Sequence, residues 1–331
     1  MAFRHKVFVT RIIPEAGMQR INKECEAEVW NDPLPPPYAV LRQKVAGCEG
    51  LVALLTDKID AALLDAAPRL KVVSNYAVGF NNIDVAAATA RGIAVGNTPG
   101  VLTDATADMA FCLLIGAARC LAAGHQYTLA GKWKTWEPLG HLGQDLAGRT
   151  LGVVGMGRIG YALAKRCQGG WGMRVLYNDV QRNPAAEKDL GAREVDLDTL
   201  LRESDFISVH TDLNEKTRGL FGMEQFRKMK RTAVFVNTAR GPIVDQKALH
   251  DALKSGVIFA AGLDVTDPEP PTVNDPLLKL PNVIVAPHIA SATFGTRNAM
   301  ATICADNLLA GLGGQKLPAW VNPEVEGKRR K

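Results

Sequence analysis

The chain has 331 residues, of which 47% are hydrophobic and 6% aromatic, and its formal net charge is +5. This length suits two domains of ordinary size, and the composition is typical of a globular protein. Basic residues are scattered apart from Lys328–Lys331, which we interpret as a solvated C-terminus. The charge therefore does not favour a nucleic-acid-binding surface.

The cysteine spacing and the length of the apolar runs indicate where in the cell the protein is expected. The cysteines are Cys25, Cys48, Cys112, Cys120, Cys167 and Cys304. They show no CxxC or metal-ligand spacing, so we predict no metal site and interpret them as reduced core thiols of a cytoplasmic protein. His5–Thr10 resembles a first strand rather than a signal peptide. The longest apolar run, Met109–Ala118, is too short to span a bilayer.

The first hundred residues alternate short β-prone runs with helical stretches. The predicted strands are Lys6–Thr10, Leu51–Leu55, Lys71–Ser74 and Ile93–Gly96, and the predicted helices include Ala61–Ala66 and Ile83–Arg91. Such continuous apolar strands are typical of a parallel sheet covered on both faces. After a break at Asn97–Gly100, the pattern predicts a long helix from about Asp104 to Ala123.

A glycine fingerprint follows the predicted strand Leu151–Val154. Gly155, Gly157 and Gly160 lead into a helix predicted from Arg158 to Gln168. In such a turn, the first glycine allows the tight bend, the second lets a pyrophosphate approach the backbone, and the third lets the helix pack on the strand. The strand Arg174–Asn178 ends at Asp179, whose carboxylate suits an adenine ribose. This combination predicts a dinucleotide site.

The alternation of strands and helices continues to the end of the chain. Further strands are predicted at Asp205–His210, Ala233–Asn237, Phe259–Asp264 and Val283–Ala286, and helices at Leu197–Glu203, Gln246–Lys254 and about Thr296–Leu312. The sequence thus predicts an α/β protein with two parallel sheets. In such sheets ligands bind at the carboxyl ends of the strands.

Three polar side chains follow successive predicted strands, where a dehydrogenase would need them. The planar fork of Arg240 suits a carboxylate, and His288 is able to give or take a proton near neutral pH, with Glu269 as a partner. Taken singly, each has another interpretation: a surface ion pair for Arg240, an exposed loop acid for Glu269, and a satisfied buried histidine for His288. Their position at successive strand ends favours a shared site.

Four segments resemble the D-isomer-specific 2-hydroxyacid dehydrogenase family. They are NYAVGFNNID at 75–84, NTPGVLTDATAD at 97–108, GVVGMGRIG at 152–160, and NTARG, GLDV, PEP and PHIAS between 237 and 291. The resemblance runs almost end to end. Within the family, TPGVLTDATAD and the WxxWxPLxxLG stretch at 133–143 are similar to the glyoxylate/hydroxypyruvate reductase branch.

The resemblance implies a specific architecture. Two doubly wound parallel-sheet domains are expected, with a Rossmann dinucleotide-binding domain at 103–291 inserted in a flavodoxin-like substrate domain at 1–102 and 292–331. A segment at about 121–146 corresponds to the family's dimerisation arm, so a homodimer is expected. Trp133 or Trp136 either fills that interface or reaches the partner's substrate pocket.

The resemblance also implies roles for single residues. Arg240 binds the substrate's carboxylate and keto oxygen, His288 is the general acid, and Glu269 keeps His288 protonated. The backbone N–H groups of Val78 and Gly79 hold the carboxylate. The positions implied for cofactor binding are Gly155, Gly157, Arg158, Ile159, Gly160, Asp179, Thr106, Thr238 and Asp264.

Two departures from the family pattern concern the cofactor and one loop. Asn178-Asp179 stands where NADPH-using reductases of the branch carry Ser-Arg or Gly-Arg. An acid there favours NADH, although Arg182 is near enough in sequence to reach a 2′-phosphate, so NADP stays an alternative. Thr266 replaces the usual Phe or Tyr, which we expect to reshape a loop without removing catalysis.

The expected activity is reduction of a small 2-ketoacid, glyoxylate or hydroxypyruvate, by NAD(P)H. A dehydrogenase for 3-phosphoglycerate or another D-2-hydroxyacid is an alternative within the same class. In a different class, an NAD(H)-sensing corepressor would keep the same fold. Oxidation of NADH by glyoxylate distinguishes the enzyme from the sensor.

Overall fold

The computed structural model describes residues 4–330, whose contacts group them into two units. One unit holds the described residues up to Leu102 together with those from Ala292 onward. The other runs from Thr103 to Ser291. The chain therefore leaves the first unit, builds the whole of the second, and returns to the first.

Strands and helices alternate along the chain. The strands are β1 (His5–Val9), β2 (Cys25–Val29), β3 (Gly50–Ala53), β4 (Val72–Asn75), β5 (Ala94–Gly96), β6 (Thr150–Val154), β7 (Arg174–Asn178), β8 (Arg193–Glu194), β9 (Phe206–Val209), β10 (Val234–Asn237), β11 (Ala260–Leu263) and β12 (Val283–Val285). The helices are α1 (Glu15–Glu24), α2 (Tyr38–Val45), α3 (Ala61–Asp65), α4 (Val85–Ala90), α5 (Thr103–Ala118), α6 (Leu121–Leu129), α7 (Arg158–Trp171), α8 (Pro184–Leu190), α9 (Leu197–Glu203), α10 (Met223–Lys228), α11 (Gln246–Lys254) and α12 (Phe294–Leu312).

The first unit is built on a five-stranded parallel sheet in the order β2-β1-β3-β4-β5. Helix α12 lies against this sheet at close range, because a Cβ on Gly311 would fall 2.5 Å from Val72 Cγ2. Helix α1 packs on α12 equally closely, since a Cβ on Gly17 would fall 2.6 Å from the Ala301 carbonyl oxygen. Apolar layers thus cover the strands, as predicted for continuous hydrophobic runs.

The second unit is built on a seven-stranded parallel sheet in the order β12-β11-β10-β9-β6-β7-β8. Helix α5 covers β11, because a Cβ on Gly262 would fall 2.8 Å from Leu113 Cβ. The strand order reverses between β6 and β9, which are neighbours in the sheet. In a doubly wound sheet, the carboxyl end of such a strand pair is where ligands bind. The predicted α/β class with two parallel sheets is confirmed.

Several predicted boundaries are wrong for identifiable reasons. Strands β2 and β8 were not predicted; both lie at sheet edges, where a half-exposed strand lacks the continuous apolar run of a central one. The long helix predicted to Ala123 ends at Ala118, because Cys120 adopts the left-handed conformation with φ 51° and a separate helix, α6, begins at Leu121.

The predictions for the C-terminus and two thiols are also corrected. Arg329 and Arg330 are half-buried rather than solvated, and Arg330 donates to the carbonyls of Ala67 at 2.7 Å and Leu70 at 3.1 Å, while Lys331 lies outside the described residues. All six cysteines are unpaired, as predicted, but Cys112 is exposed and Cys120 partly exposed. The core interpretation therefore holds only for the other four thiols.

In the described part of the chain, no single helix is long and apolar enough to cross a membrane. Helices α5 and α6 are long and apolar enough for a membrane span only when they are taken together, and they are bent by 63° where they meet.

Candidate active site

The glycine turn joins β6 to α7 in a conformation that requires small residues. Gly155 has φ +94°, and a Cβ there would fall 2.7 Å from the His210 carbonyl carbon. A Cβ on Gly160 would fall 2.2 Å from the Gly155 carbonyl oxygen. Only glycine fits these two positions, so the turn stays tight and α7 stays close to β6.

Space for a dinucleotide lies at Gly157, directly before α7. Apart from its chain neighbours, no atom of the described residues lies within 4 Å of a Cβ placed there, although the other two fingerprint glycines are crowded. Arg158 is exposed and Ile159 half-buried at the start of this 14-residue helix. The helix N-terminus supplies N–H groups and a partial positive charge, so the residues present fit a pyrophosphate.

Asp179 lies beside the same turn. Its Oδ2 accepts a hydrogen bond of 2.7 Å from the Met156 N–H, and its Oδ1 accepts one of 3.2 Å from the Gln181 N–H. A carboxylate is therefore fixed at the edge of the glycine turn, where the family fingerprint requires an acceptor for ribose hydroxyls.

Arg182 is paired with two carboxylates near Asp179. Its Nη2 lies 2.6 Å from Glu187 Oε2, and its Nε lies 3.4 Å from Glu194 Oε2. Glu187 also accepts a hydrogen bond of 2.7 Å from the Tyr177 hydroxyl. Arg182, which is close enough in sequence to reach a 2′-phosphate, is thus already paired with acidic neighbours.

Two threonines predicted to approach the cofactor lie in the same unit. Thr238, directly after β10, is buried, and its Oγ1 has no hydrogen-bond partner among the described residues. Such a buried, unpartnered hydroxyl fits a site that a ligand completes. Thr106 is 5% exposed on α5.

His288 and Glu269 form a close pair. His288 Nδ1 lies 2.5 Å from Glu269 Oε1, although 19 residues separate them in the sequence. Their side chains are 24% and 34% exposed, so both remain accessible to a small molecule. The contact leaves Nε2 as the ring nitrogen available for proton transfer.

An unusual backbone conformation presents His288. Its φ is 54°, in the left-handed region that non-glycine residues rarely adopt. The next two N–H groups, of Ile289 and Ala290, each donate a 2.8 Å hydrogen bond to a different oxygen of Asp264. Burial raises the pKa of Asp264, and these two hydrogen bonds oppose that effect. Asp264 therefore fixes the turn that carries His288, a role the sequence did not reveal.

Arg240 follows β10, and its backbone is held by Asn237. The Asn237 Nδ2 donates to the Arg240 carbonyl at 2.9 Å, and the Ala239 N–H donates to Asn237 Oδ1 at 3.0 Å. Burial lowers the pKa of Arg240, against the negative charges of Glu269 and Asp212. An arginine remains charged even so, and its half-buried guanidinium suits an anionic partner.

The loop that carries Glu269 packs directly against the start of the Arg240 loop. A Cβ on Gly241 would fall 1.8 Å from the Thr266 carbonyl oxygen. Thr266 is buried, and its Oγ1 donates to the Pro268 carbonyl at 2.9 Å. The loop with threonine in place of an aromatic residue thus still brings Glu269 to His288.

His210 is a further polar residue at this edge that the sequence did not single out. It follows β9, its backbone contacts the Gly155 turn, and its Nε2 lies 2.8 Å from Ser208 Oγ. Burial lowers the pKa of His210 to about 4. A neutral imidazole therefore lies beside the glycine turn, and the signal for it in the sequence is its position at a strand end.

Val78 and Gly79 belong to the other unit. They are half-buried in the bend that follows β4, and their carbonyl groups accept hydrogen bonds from side-chain amides of that unit.

No group of three or more His, Cys, Asp or Glu residues able to hold a metal ion occurs within residues 4–330.

Comparison with known proteins identifies the family. Residues 111–290 match the model of the D-isomer specific 2-hydroxyacid dehydrogenase NAD binding domain. A glyoxylate reductase of Korarchaeum cryptofilum is 54% identical over 97% of this chain and 96% of its own.

Solved structures of similar proteins support the same family assignment. A glyoxylate reductase from Paecilomyes thermophila superposes with a TM-score of 0.85 at 32% identity, covering 98% of this chain and 99% of its own. An NADPH-dependent glyoxylate/hydroxypyruvate reductase from Sinorhizobium meliloti, in complex with NADP and malonate, has a TM-score of 0.85 at 32% identity and covers 99% of each chain. The present chain, with its glycine turn and its His288–Glu269 pair, belongs to the D-isomer-specific 2-hydroxyacid dehydrogenase family and binds a nicotinamide dinucleotide.

Proposed function

We propose that this enzyme reduces glyoxylate to glycolate and hydroxypyruvate to D-glycerate. The observation that carries the proposal is the His288–Glu269 pair, with Nδ1 and Oε1 2.5 Å apart in the unit that holds the dinucleotide turn. The names of relatives that match the chain over almost its whole length support the same substrates.

The proposed mechanism assigns one task to each polar side chain. A bound reduced nicotinamide would supply the hydride. Arg240 binds the carboxylate and keto oxygen of the substrate through its planar fork. His288 donates the proton to the oxygen that becomes the hydroxyl, and Glu269 stabilises the protonated imidazole through Nδ1. Asp264 keeps His288 in its left-handed turn, so that Nε2 remains available for this transfer.

We propose NADH as the preferred reductant. The Asp179 carboxylate, fixed by the Met156 N–H, accepts ribose hydroxyls and repels a 2′-phosphate. Arg182 does not offset this charge, because Glu187 and Glu194 pair with it.

The two units are proposed to be the two predicted domains. The unit from Thr103 to Ser291 contains the whole of the segment 111–290 that matches the family's NAD binding domain. The other unit contains Val78–Gly79, the loop for which the family resemblance implies carboxylate binding. Six unpaired thiols favour a location in the reducing cytoplasm.

A homodimer formed through the segment 121–146 is also proposed. Helix α6 buries none of its residues, yet it is apolar along much of its length. The large exposed hydrophobic side chains of the segment are Leu121, Leu129, Trp133, Trp136, Leu139 and Leu142. A cluster of this kind is typical of a surface covered by a second subunit.

Light scattering tests the dimer. Leu139→Asp and Leu142→Asp together should convert a dimer to a monomer. Val273→Asp, which alters a single apolar side chain that is 92% exposed elsewhere in the same unit, should leave the dimer intact. A wild-type protein that is already monomeric would contradict the proposal.

Initial rates test the activity. We would measure oxidation of NADH and of NADPH by glyoxylate, hydroxypyruvate, pyruvate and 3-phosphohydroxypyruvate. Fast turnover of the first two with NADH is expected. Faster turnover of 3-phosphohydroxypyruvate would replace the proposed substrate, and no turnover of any ketoacid would favour the NAD(H)-sensing alternative.

A further inference from the structure

Three successive carbonyl groups after β4 are held by neighbouring polar groups. The Ala77 carbonyl accepts from the Thr98 N–H at 2.9 Å, and the Val78 carbonyl accepts from Asn97 Nδ2 at 2.7 Å. The Gly79 carbonyl accepts from Asn75 Nδ2 at 2.9 Å. The hydrogen bonds therefore fix the direction in which each of these three carbonyl groups points.

The directions of the carbonyls determine those of the N–H groups. The peptide bonds of this loop are trans, and in a planar trans peptide the N–H points opposite to the carbonyl. The N–H groups of Val78, Gly79 and Phe80 thus point away from Thr98, Asn97 and Asn75, respectively. Within residues 4–330 none of these three N–H groups has a hydrogen-bond acceptor. Three successive N–H groups without an acceptor are available to an anionic ligand.

We propose that Asn75 and Asn97 are positioning residues that set a three-donor cradle for the substrate carboxylate, made by the N–H groups of Val78, Gly79 and Phe80. This inference rests on the proposed function, which requires a carboxylate ligand. Asn97 acts on the Gly79 N–H through the Val78 carbonyl, and Asn75 acts on the Phe80 N–H through the Gly79 carbonyl. Phe80 thereby adds a donor beyond the two that the family resemblance implies.

The burial of Asn75 and a second amide fix the cradle further. Asn75 is fully buried at the end of β4, and its Nδ2 also lies 3.2 Å from Asn82 Oδ1. Asn82 Nδ2 in turn donates to the carbonyls of Leu54 at 3.0 Å and Asp57 at 3.1 Å. The loops after β3 and β4 are therefore joined by amides. A rigid, preformed cradle binds its ligand without an ordering cost, which gives these amides a role in affinity rather than in chemistry.

Asn75→Ala and Asn97→Ala test the proposal in the full-length protein, with Asn322→Ala as the matched control. Asn322 is also a fully buried asparagine of this unit, and it binds the Val95 N–H at 2.8 Å and the Ile93 carbonyl at 3.0 Å. Kinetics with glyoxylate, inhibition by oxalate and direct titration with NADH would be measured for each variant, along with thermal unfolding.

Each cradle variant should raise the KM for glyoxylate and the inhibition constant of oxalate by about tenfold, with kcat and the NADH Kd nearly unchanged. Asn322→Ala should lower Tm without changing either constant. Equal effects in all three variants, or KM and oxalate inhibition within twofold of wild type in both cradle variants, would overturn the proposal. Should Asn75→Ala fail to fold, the half-buried Asn97 decides the matter.

Failure of the proposed function has a separate signature. If the wild-type protein oxidises no NADH with either ketoacid, the substrate assignment is wrong, and the cradle is tested by oxalate alone. Oxalate should then raise Tm of the wild type by more than it raises Tm of Asn97→Ala at the same concentration. The same shift in both proteins, or none in the wild type, would overturn the cradle.

Discussion

The imidazole Nδ1 of His288 lies 2.5 Å from Oε1 of Glu269, and the two residues come from loops that follow neighbouring strands, β12 and β11. The contact orients the ring and provides a negative charge for a protonated histidine. The backbone of His288 also lies in the left-handed region, with φ 54°. A carboxylate and a constrained turn therefore act together on one proton donor.

Replacing either member of this pair should impair chemistry without impairing cofactor binding. His288→Asn removes the proton donor and should lower kcat by about 10²–10⁴-fold. Glu269→Gln removes only the charge of the partner and should lower kcat by about 10–100-fold. Steady-state rates and titration with NADH would measure both effects. Wild-type kcat in His288→Asn would exclude that residue as the general acid.

Arg240→Lys should weaken substrate binding and slow the reaction together. Lysine keeps the charge but lacks the planar fork that grips a carboxylate and a keto oxygen at once. We expect kcat/KM for glyoxylate to fall by at least about tenfold, with contributions from both constants. Arg227→Lys, on the exposed face of α10, is the control and should be unchanged. A fall confined to NADH affinity would mean that Arg240 binds the cofactor instead.

The sequence predicted the elements whose ends carry local signals. Helices α9 and α11 have the predicted bounds, and each begins after an aspartate, Asp196 or Asp245, whose side chain accepts from a backbone N–H of the first turn. Edge strand β2 was missed because its polar and apolar residues alternate over only five positions. The end of α5 was missed because a left-handed cysteine gives no sequence signal.

In the candidate site too, the sequence predicted residues that follow a strand and missed hydrogen bonds between residues distant in sequence. Arg240, Glu269 and His288 were found because each follows a predicted strand. The hydrogen bonds of Asp264 to Ile289 and Ala290, and those of Asn75 and Asn97 to the loop after β4, join residues by their folded positions. Side-chain to backbone bonds of this kind have no periodicity, so sequence patterns do not predict them.

Gly157→Ala should abolish tight NADH binding while leaving the fold intact. No neighbour lies within 4 Å of the added Cβ, and its φ of −72° suits alanine, so Tm should stay within a few degrees of the wild-type value. The methyl group would fill the space expected for the pyrophosphate. We expect the NADH Kd to rise by at least about tenfold.

Gly169→Ala is the matched control for Gly157→Ala. This glycine lies in the same helix, α7, and its Cβ would also meet nothing within 4 Å. Alanine there should stabilise the helix by roughly 0.5–1 kcal/mol and leave the NADH Kd unchanged. An equal loss of NADH affinity in both variants would place the dinucleotide elsewhere.

Asp179→Ala should shift the cofactor preference towards NADPH. Removal of the carboxylate relieves repulsion of a 2′-phosphate and removes an acceptor for ribose hydroxyls, so the ratio of kcat/KM with NADH to that with NADPH should fall at least about tenfold. Arg182→Ala should leave the ratio within about twofold, because Glu187 and Glu194 already pair with Arg182. An unaltered ratio in Asp179→Ala would refute the role assigned to this carboxylate.

His210 should make the protein less stable in mild acid. Burial lowers its folded-state pKa to about 4, whereas an unfolded histidine titrates near pH 6.5. Between these values the unfolded chain takes up a proton that the folded one does not, so the free energy of unfolding falls as the pH falls. The loss begins near pH 6.5, reaches about 2 kcal/mol at pH 5, and ends near pH 4, where both states are protonated.

Comparison of variants isolates this effect of His210 from that of other groups. His210→Asn keeps a polar partner for Ser208 but does not titrate, so its loss of unfolding free energy between pH 7 and pH 5 should be about 2 kcal/mol smaller than that of the wild type. Ser208→Ala keeps the imidazole and should keep the wild-type pH dependence. Asp57 and Asp264, whose pKa values burial raises, are present in every variant, so their contributions cancel. Urea unfolding at one protein concentration measures the difference, and parallel curves for wild type and His210→Asn would show that folding does not lower the pKa of His210.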